Sequence, residues 1–176
     1  KGIKEYIEAA KIVKKKYPNI EFQVLGFLDI NNLSSPPYEV ISKMHNMKII
    51  NYLGETDEVN DFIKFSDCVV LPSYGEGMPK TLLEACAIGR PIIASRVSGI
   101  KEIVIEEKNG YLCEVKNYKS LAEKMMKFIS LSFSDRKKFS EFSYKNIAIN
   151  FDEQKVINKY TDLIKKLWLI IINFNE

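Results

Sequence analysis

The chain has one histidine, one tryptophan and three cysteines in 176 residues, and each scarcity removes a class of chemistry. Cys68, Cys86 and Cys113 are odd in number, far apart and set in apolar runs such as Asp67-Cys68-Val69-Val70-Leu71. They read as small buried hydrophobes in a reducing compartment, not as a disulfide framework. No Cys or His pair has metal-ligand spacing, and His45 stands alone in a polar stretch, so it is assigned no role. Arginine occurs only at Arg90, Arg96 and Arg136, so the net charge of +3 is carried almost wholly by lysine. Without a basic stripe interleaved with aromatics, or any nucleic-acid-binding motif, a nucleic-acid partner is excluded. No secretory leader is recognisable, and no apolar run approaches the ~20 residues a membrane span needs. An initiator methionine is also missing. The chain opens at Lys1-Gly2-Ile3, already inside a helix-like pattern, and reads as a piece of a longer protein.

What is present is enough for one domain: 46% hydrophobic and 28% charged residues. Ile3, Tyr6, Ile7, Ala10 and Val13 recur at helical spacing and predict a first helix ended by Tyr17-Pro18-Asn19. A strand over 21–25, a polar loop over 29–37, a weak helix through Met44 and a strand near 49–53 follow. The second half predicts a short helix over 59–65, a strand over 68–71, a helix over 79–88 and a strand over 91–95. Proline in its first turn and Gly89 after its end mark the 79–88 helix. A short helix over 99–105, a strand over 111–115 and helices at about 118–130, 134–149 and 152–171 complete the reading. Short apolar strands alternating with helices imply an α/β fold: a Rossmann-like, doubly wound parallel sheet with helices on both faces. The unbroken apolar runs Val69-Val70-Leu71 and Ile92-Ile93 predict central strands buried on both sides. Ligands of such sheets bind beyond the carboxyl ends of the strands, where the strand order reverses.

The chemistry concentrates in Leu71-Pro72-Ser73-Tyr74-Gly75-Glu76-Gly77-Met78-Pro79-Lys80-Thr81-Leu82-Leu83-Glu84-Ala85. A buried strand runs into a loop with two glycines and an acid, then into a helix with a second acid. A helix opening at Pro79 presents free amides around Lys80, Thr81 and Leu82, a ready anion site. Gly75 and Gly77 let main chain approach a ligand closely. Glu84 lies about 7–8 Å further along the helix at ~1.5 Å per residue, and Glu76 lies on the loop side. Two carboxylates thus flank a diphosphate-sized anion site, where each can accept paired hydrogen bonds from vicinal hydroxyls. Ribose, diphosphate and hexose in line have this layout. Either glutamate alone reads as a surface acid; the whole constellation does not.

This stretch resembles the retaining GT-B glycosyltransferases called glycosyltransferase group 1, whose signature is Glu-Gly-x-Pro and a second Glu in Glu-x7-Glu spacing, met by Glu76 and Glu84. The resemblance continues through Ala87-Ile88-Gly89-Arg90-Pro91-Ile92-Ile93-Ala94, Gly99-Ile100-Lys101-Glu102-Ile103-Val104 and Asn109-Gly110-Tyr111-Leu112. It implies the C-terminal half of a GT-B fold: residues 1–150 as a nucleotide-sugar-binding domain, and 151–176 as a helix packing back on an absent N-terminal domain. It assigns Glu76 the catalytic position, holding the donor hexose with Gly77, Met78 and Pro79, and Glu84 the ribose hydroxyls. Lys1, at the end of a Gly-Arg-Leu…Lys-Gly segment, is the phosphate lysine, and Lys80, Thr81 and Leu82 complete the donor set. The base is read by main chain at Leu53 and Gly54. Glu102 is taken as structural, capping its own helix. The sequence departs from the family pattern at Ser98-Gly99, where two glycines are usual, and at Gly75, where an aromatic usually precedes the acid; both bear on the choice of donor sugar.

No cofactor is implied, a nucleotide-diphosphate sugar being the donor substrate, and without an Asp-x-Asp motif no metal is expected. The implied reaction moves a hexosyl unit to an acceptor hydroxyl with retention, in polysaccharide or glycan biosynthesis. The acceptor is a glycan or lipid-linked sugar held by the absent domain, so the piece alone is expected to be inactive. The alternatives are a non-catalytic nucleotide-binding module, or a GT-B-shaped epimerase or phosphorylase. The expected location is the cytoplasm, at most peripheral at the inner face of its membrane. The apolar end Leu167-Trp168-Leu169-Ile170-Ile171-Ile172 is read as packing on the absent half, with a membrane interface as the alternative.

Overall fold

In a computed structural model the chain is described over residues 2–27 and 37–173. Lys1 and most of the expected 29–37 loop fall outside the described residues, as do the side chains from Leu167 onward. In chain order the elements are α1 (Ile3–Lys16), β1 (Gln23–Leu25), α2 (Tyr38–Asn46), β2 (Asn51–Gly54), α3 (Val59–Phe65), β3 (Val69–Leu71) and α4 (Lys80–Ile88). Then come β4 (Ile92–Ser95), α5 (Ser98–Ile103), β5 (Gly110–Cys113), α6 (Tyr118–Ile129), α7 (Phe133–Asn150) and α8 (Glu153–Asn173). Every element type expected from the sequence is present, with boundaries moved by one or two residues.

All strand pairs are parallel. β1 pairs with β2, and β4 lies between β3 and β5 with Ile92 opposite both Val69 and Gly110. The side chains of β4 and β5 alternate between two cores. Ile93, Tyr111 and Cys113 pack with α1 and α6 through Ile7, Val13, Leu121 and Met125. Ile92, Ala94 and Leu112 pack with α4 and α5 through Leu82, Ala85, Ile100 and Ile103. Each fully buried Ile or Leu contributes about 1.5–3 kcal/mol of apolar transfer, which is what holds the helices to both faces.

The structure differs from the single sheet with a doubly buried β3. Among the described residues the strands form two part-sheets, β1-β2 and β3-β4-β5. β4 and β5 are buried throughout, but Val69, Val70 and Leu71 are only half-buried. Among the described residues β3 is paired along one edge, with Val70 packed against one core and Val69 and Leu71 against the other, and a continuous apolar run looks the same whether its strand is central or at an edge. The Tyr6 hydroxyl donates to the Gln23 carbonyl at 3.0 Å, and its ring packs edge-on against Phe22. Burial, and secondarily the nearby Cys68 sulfur, push the Tyr6 phenol above its ordinary range.

Local signals fix the helix ends. Asn117 caps α6 by accepting from the amides of Lys119 and Ser120, and Ser132 caps α7 at Asp135. Gly89 ends α4 in a left-handed conformation at φ 80°. The three cysteines are free thiols, and burial pushes Cys86 up to about 11. Asn109 lies in the turn that leads into β5 and is fully buried there: its side chain accepts from the Ile105 amide at 2.8 Å and donates to the Ile103 carbonyl at 3.0 Å. Asn109→Ala leaves both groups buried and unpaired, so chemical denaturation should show a loss of roughly 2–4 kcal/mol.

Candidate functional site

The loop over 72–79 leaves the carboxyl end of β3 and enters α4, and glycines on two neighbouring elements govern its path. Gly2, at the start of α1, lies so close to Pro72 that a Cβ there would fall on the Pro72 carbonyl. Gly99 in α5 lies against the main chain of Glu76 and Gly77; a Cβ would fall on the Gly77 carbonyl and come within 2.8 Å of the Glu76 carbonyl oxygen. One glycine of the usual pair, Gly99, thus suffices for that contact. Gly75 and Gly77 differ from these: neither has a left-handed φ, and a Cβ on either meets nothing within 4 Å. Their missing side chains leave open space beside the loop.

Pro79 is the residue that caps α4, with no side chain bonded there. The Leu82 amide donates to the Pro79 carbonyl at 3.0 Å, and the Leu82 side chain is fully buried. Leu82 therefore has neither a free amide nor an accessible side chain to offer a ligand. The amides of Lys80 and Thr81 take no main-chain acceptor among the described residues. Met78 is 51% exposed beside them. The Lys80 ammonium lies 3.4 Å from the Glu84 carboxylate, a pair one helical turn apart whose lysine is 88% exposed and whose glutamate is 24% exposed. Glu76 enters no ion pair or hydrogen bond among the described residues and is half-buried. The structure therefore gathers Glu76, Gly77, Met78, Pro79, Lys80, Thr81 and Glu84 on one loop and helix start.

Leu53 and Gly54 lie at the carboxyl end of β2, in the other part-sheet, where Gly54 accepts from the Gly26 amide at 2.8 Å. The structure does not bond them to the 72–79 loop. Glu102 is exposed, and no side chain caps α5, so its expected capping role does not hold.

One contact had no signature in the motif. The Tyr74 hydroxyl donates to the Glu5 carboxylate at 2.8–2.9 Å, and the Lys116 ammonium lies 5.1 Å from the Tyr74 ring centroid. Burial, then the Glu5 carboxylate, hold the Tyr74 phenol above its ordinary range. The available signal was an aromatic one position before the place where the family pattern has one.

Comparison with known proteins identifies the family and the fold. The family described as "Glycosyl transferases group 1" matches residues 1–146. The N,N'-diacetylbacillosaminyl-diphospho-undecaprenol alpha-1,3-N-acetylgalactosaminyltransferase of Campylobacter jejuni is 32% identical over 170 residues, covering 95% of this chain and 42% of that protein. The crystal structure of the C-terminal domain of a glycosyl transferase group 1 family protein, LpcC from Francisella tularensis, superposes with a TM-score of 0.72 at 29% identity, covering 87% of this chain and 80% of that domain. TarM of S. aureus, crystallised with UDP among its ligands, has the same fold at a TM-score of 0.79 and 24% identity, over 92% of this chain and 32% of that one. The chain therefore spans less than half the length of the curated relative it matches, and its fold is the C-terminal half of the GT-B architecture.

Two substitutions separate the roles of the glycines. Gly99→Ala drives a methyl into the Gly77 carbonyl and should cost about 1–3 kcal/mol in thermal melting. Gly77→Ala meets no neighbouring atom and should melt within about 0.5 kcal/mol of wild type.

Proposed function

Because this chain belongs to the glycosyl transferases group 1 family, we propose that it is the nucleotide-sugar-binding half of an enzyme that moves a hexosyl unit to an acceptor hydroxyl with retention, in polysaccharide or glycan biosynthesis. Its homologues are glycosyltransferases, and one of them is named for a diphospho-undecaprenol-linked acceptor. The observation that carries the reading is a loop whose Gly75 and Gly77 leave open space at Cβ and whose Glu76 has no ion pair or hydrogen bond among the described residues, leading into a helix start where, among those residues, the Lys80 and Thr81 amides take no main-chain acceptor and Glu84 follows one turn on.

In this reading the diphosphate sits at the start of α4. The amides of Lys80 and Thr81, the helix N-terminus and Lys1 stabilise the charge that grows as the nucleoside diphosphate leaves. Glu84 accepts from the ribose hydroxyls, with Lys80 free to turn toward the phosphates. Glu76 and the main chain of Gly77 to Pro79 hold the hexose, and Leu53 and Gly54 meet the base. Neither glutamate is assigned as a nucleophile. Transfer runs through an oxocarbenium-like state, the leaving phosphate helping to deprotonate the acceptor hydroxyl. No metal enters the scheme.

The acceptor is a glycan or a lipid-linked sugar bound by the remainder of the protein, so this half alone turns over little. The structure lends α8 to the same reading. Ile157, Tyr160, Leu163 and Ile164 are 47–65% exposed along one helical stripe, an apolar face suited to covering by the rest of the enzyme. No helix among the described residues is long and apolar enough to cross a membrane. A cytoplasmic enzyme, at most peripheral at the membrane, fits the lipid-linked acceptor.

Calorimetry of the full-length protein with UDP-, GDP- and ADP-sugars should select one nucleotide, and Glu84→Ala should weaken it about 10- to 100-fold, the worth of hydrogen bonds to a charged group. Glu76→Ala should lower turnover about 100-fold, as misplacement of a reacting group does; full turnover in that variant rules out its assigned role. Deleting residues 168–176 should leave flotation on anionic vesicles unchanged, and a loss of flotation would move α8 to the membrane.

A further inference from the structure

Tyr74 is the one side chain of the 72–79 loop with polar contacts on two other elements. Its hydroxyl is bonded to Glu5 in the first turn of α1, from a position 69 residues away in sequence. Its ring lies 5.1 Å from the Lys116 ammonium, on the connection between β5 and α6. The two contacts reinforce each other. A carboxylate drawing on the phenol proton raises electron density in the ring, and an electron-rich ring attracts a cation more strongly.

The backbone on each side is already committed. Lys116 takes a left-handed φ of 58°, immediately before the Asn117 cap of α6, so its position is set by a tight turn and not by a free loop. Glu5 follows the Gly2–Pro72 approach by one helical turn, so α1 is fixed to the same loop by main chain and side chain together. Tyr74 lies two residues before Glu76 and is 39% exposed.

We propose that Glu5, Tyr74 and Lys116 form a positioning clamp that sets the height of the 72–79 loop, and with it Glu76, relative to the start of α1. The clamp ties the hexose side of the site to the α1 side, so its loss displaces the sugar more than the nucleotide. This rests on the donor-site reading above. Tyr74 touches no reacting atom in that reading; it acts through Glu76.

The test is a double-mutant cycle in the full-length protein, with nucleotide release measured for whichever UDP-, GDP- or ADP-sugar gives the fastest turnover. Tyr74→Phe and Glu5→Leu should each lower kcat/KM about tenfold, as small misplacements near a reacting group do. The double variant should fall no further than the worse single one, because both remove the same contact. Glu5→Gln, whose amide oxygen still accepts the phenol proton, should restore most of the loss, and Lys116→Met should give a smaller loss of the same kind. Affinity for the matching free nucleoside diphosphate, and the melting temperature, should stay near wild type in all of them. Additive losses, unchanged kcat/KM, or a parallel fall in nucleotide affinity and melting temperature would each overturn the clamp. Glu76→Ala run alongside separates the two claims. If it abolishes turnover while Tyr74→Phe does nothing, the clamp alone fails; if it leaves turnover intact, or no sugar nucleotide is turned over, the donor-site reading fails and the clamp goes with it.

Discussion

The site depends on main chain meeting main chain across missing Cβ atoms. The loop that carries Glu76 is pressed by α5 at Gly99 and met by the start of α1 at Gly2, and neither approach leaves room for even a methyl group. Interiors packed this closely transmit displacement instead of absorbing it. The height of Glu76 above the sheet is therefore set by where α1 and α5 dock, and they dock where their cores require. Ile7, Ala9 and Ala10 tie α1 to one face of β4 and β5, and Ile100 and Ile103 tie α5 to the other. A loop of glycine, serine and tyrosine, with little preference of its own, inherits the rigidity of both layers. Gly75 and Gly77 have no left-handed φ and open space at Cβ, so neither is required by close packing as Gly2 and Gly99 are.

How much of this could be read in advance follows from the range of each signal. Helical spacing in Ile3, Tyr6, Ile7, Ala10 and Val13 and the proline and glycine flanking α4 act within a few residues, so those elements were legible to within a residue or two. Glu76 and Glu84 were legible as a pair because their relation is a loop and a helix start, both local. Burial of β3 was misread because Val69-Val70-Leu71 has the same composition whether one edge or both are paired. Asparagine before glycine signals the turn at Asn109, but not that its amide is directed inward to bond Ile105 and Ile103. The Tyr74–Glu5 bond joins residues 69 apart, and no periodicity carries that information.

The two acids differ in how they are held, and the difference matches the tasks assigned to them. Glu84 is three-quarters covered and faces Lys80 across 3.4 Å, but Lys80 is 88% exposed. A pair like that, four residues apart on a helix, contributes only about 0.3–0.5 kcal/mol. It keeps the lysine nearby without binding it, so in the proposed reading a diphosphate at the Lys80 and Thr81 amides draws the ammonium over at almost no cost. Glu84 is then left to neutral hydroxyls, which suits a carboxylate set back along the helix from the phosphate charge. Glu76 has no cation among the described residues, and its place is fixed through the loop. An acid held by a strong ion pair would have to break it before accepting a sugar. One held only by its backbone presents both oxygens at once, and that is why the packing of Gly99 and Gly2 bears on chemistry as directly as the carboxylate itself.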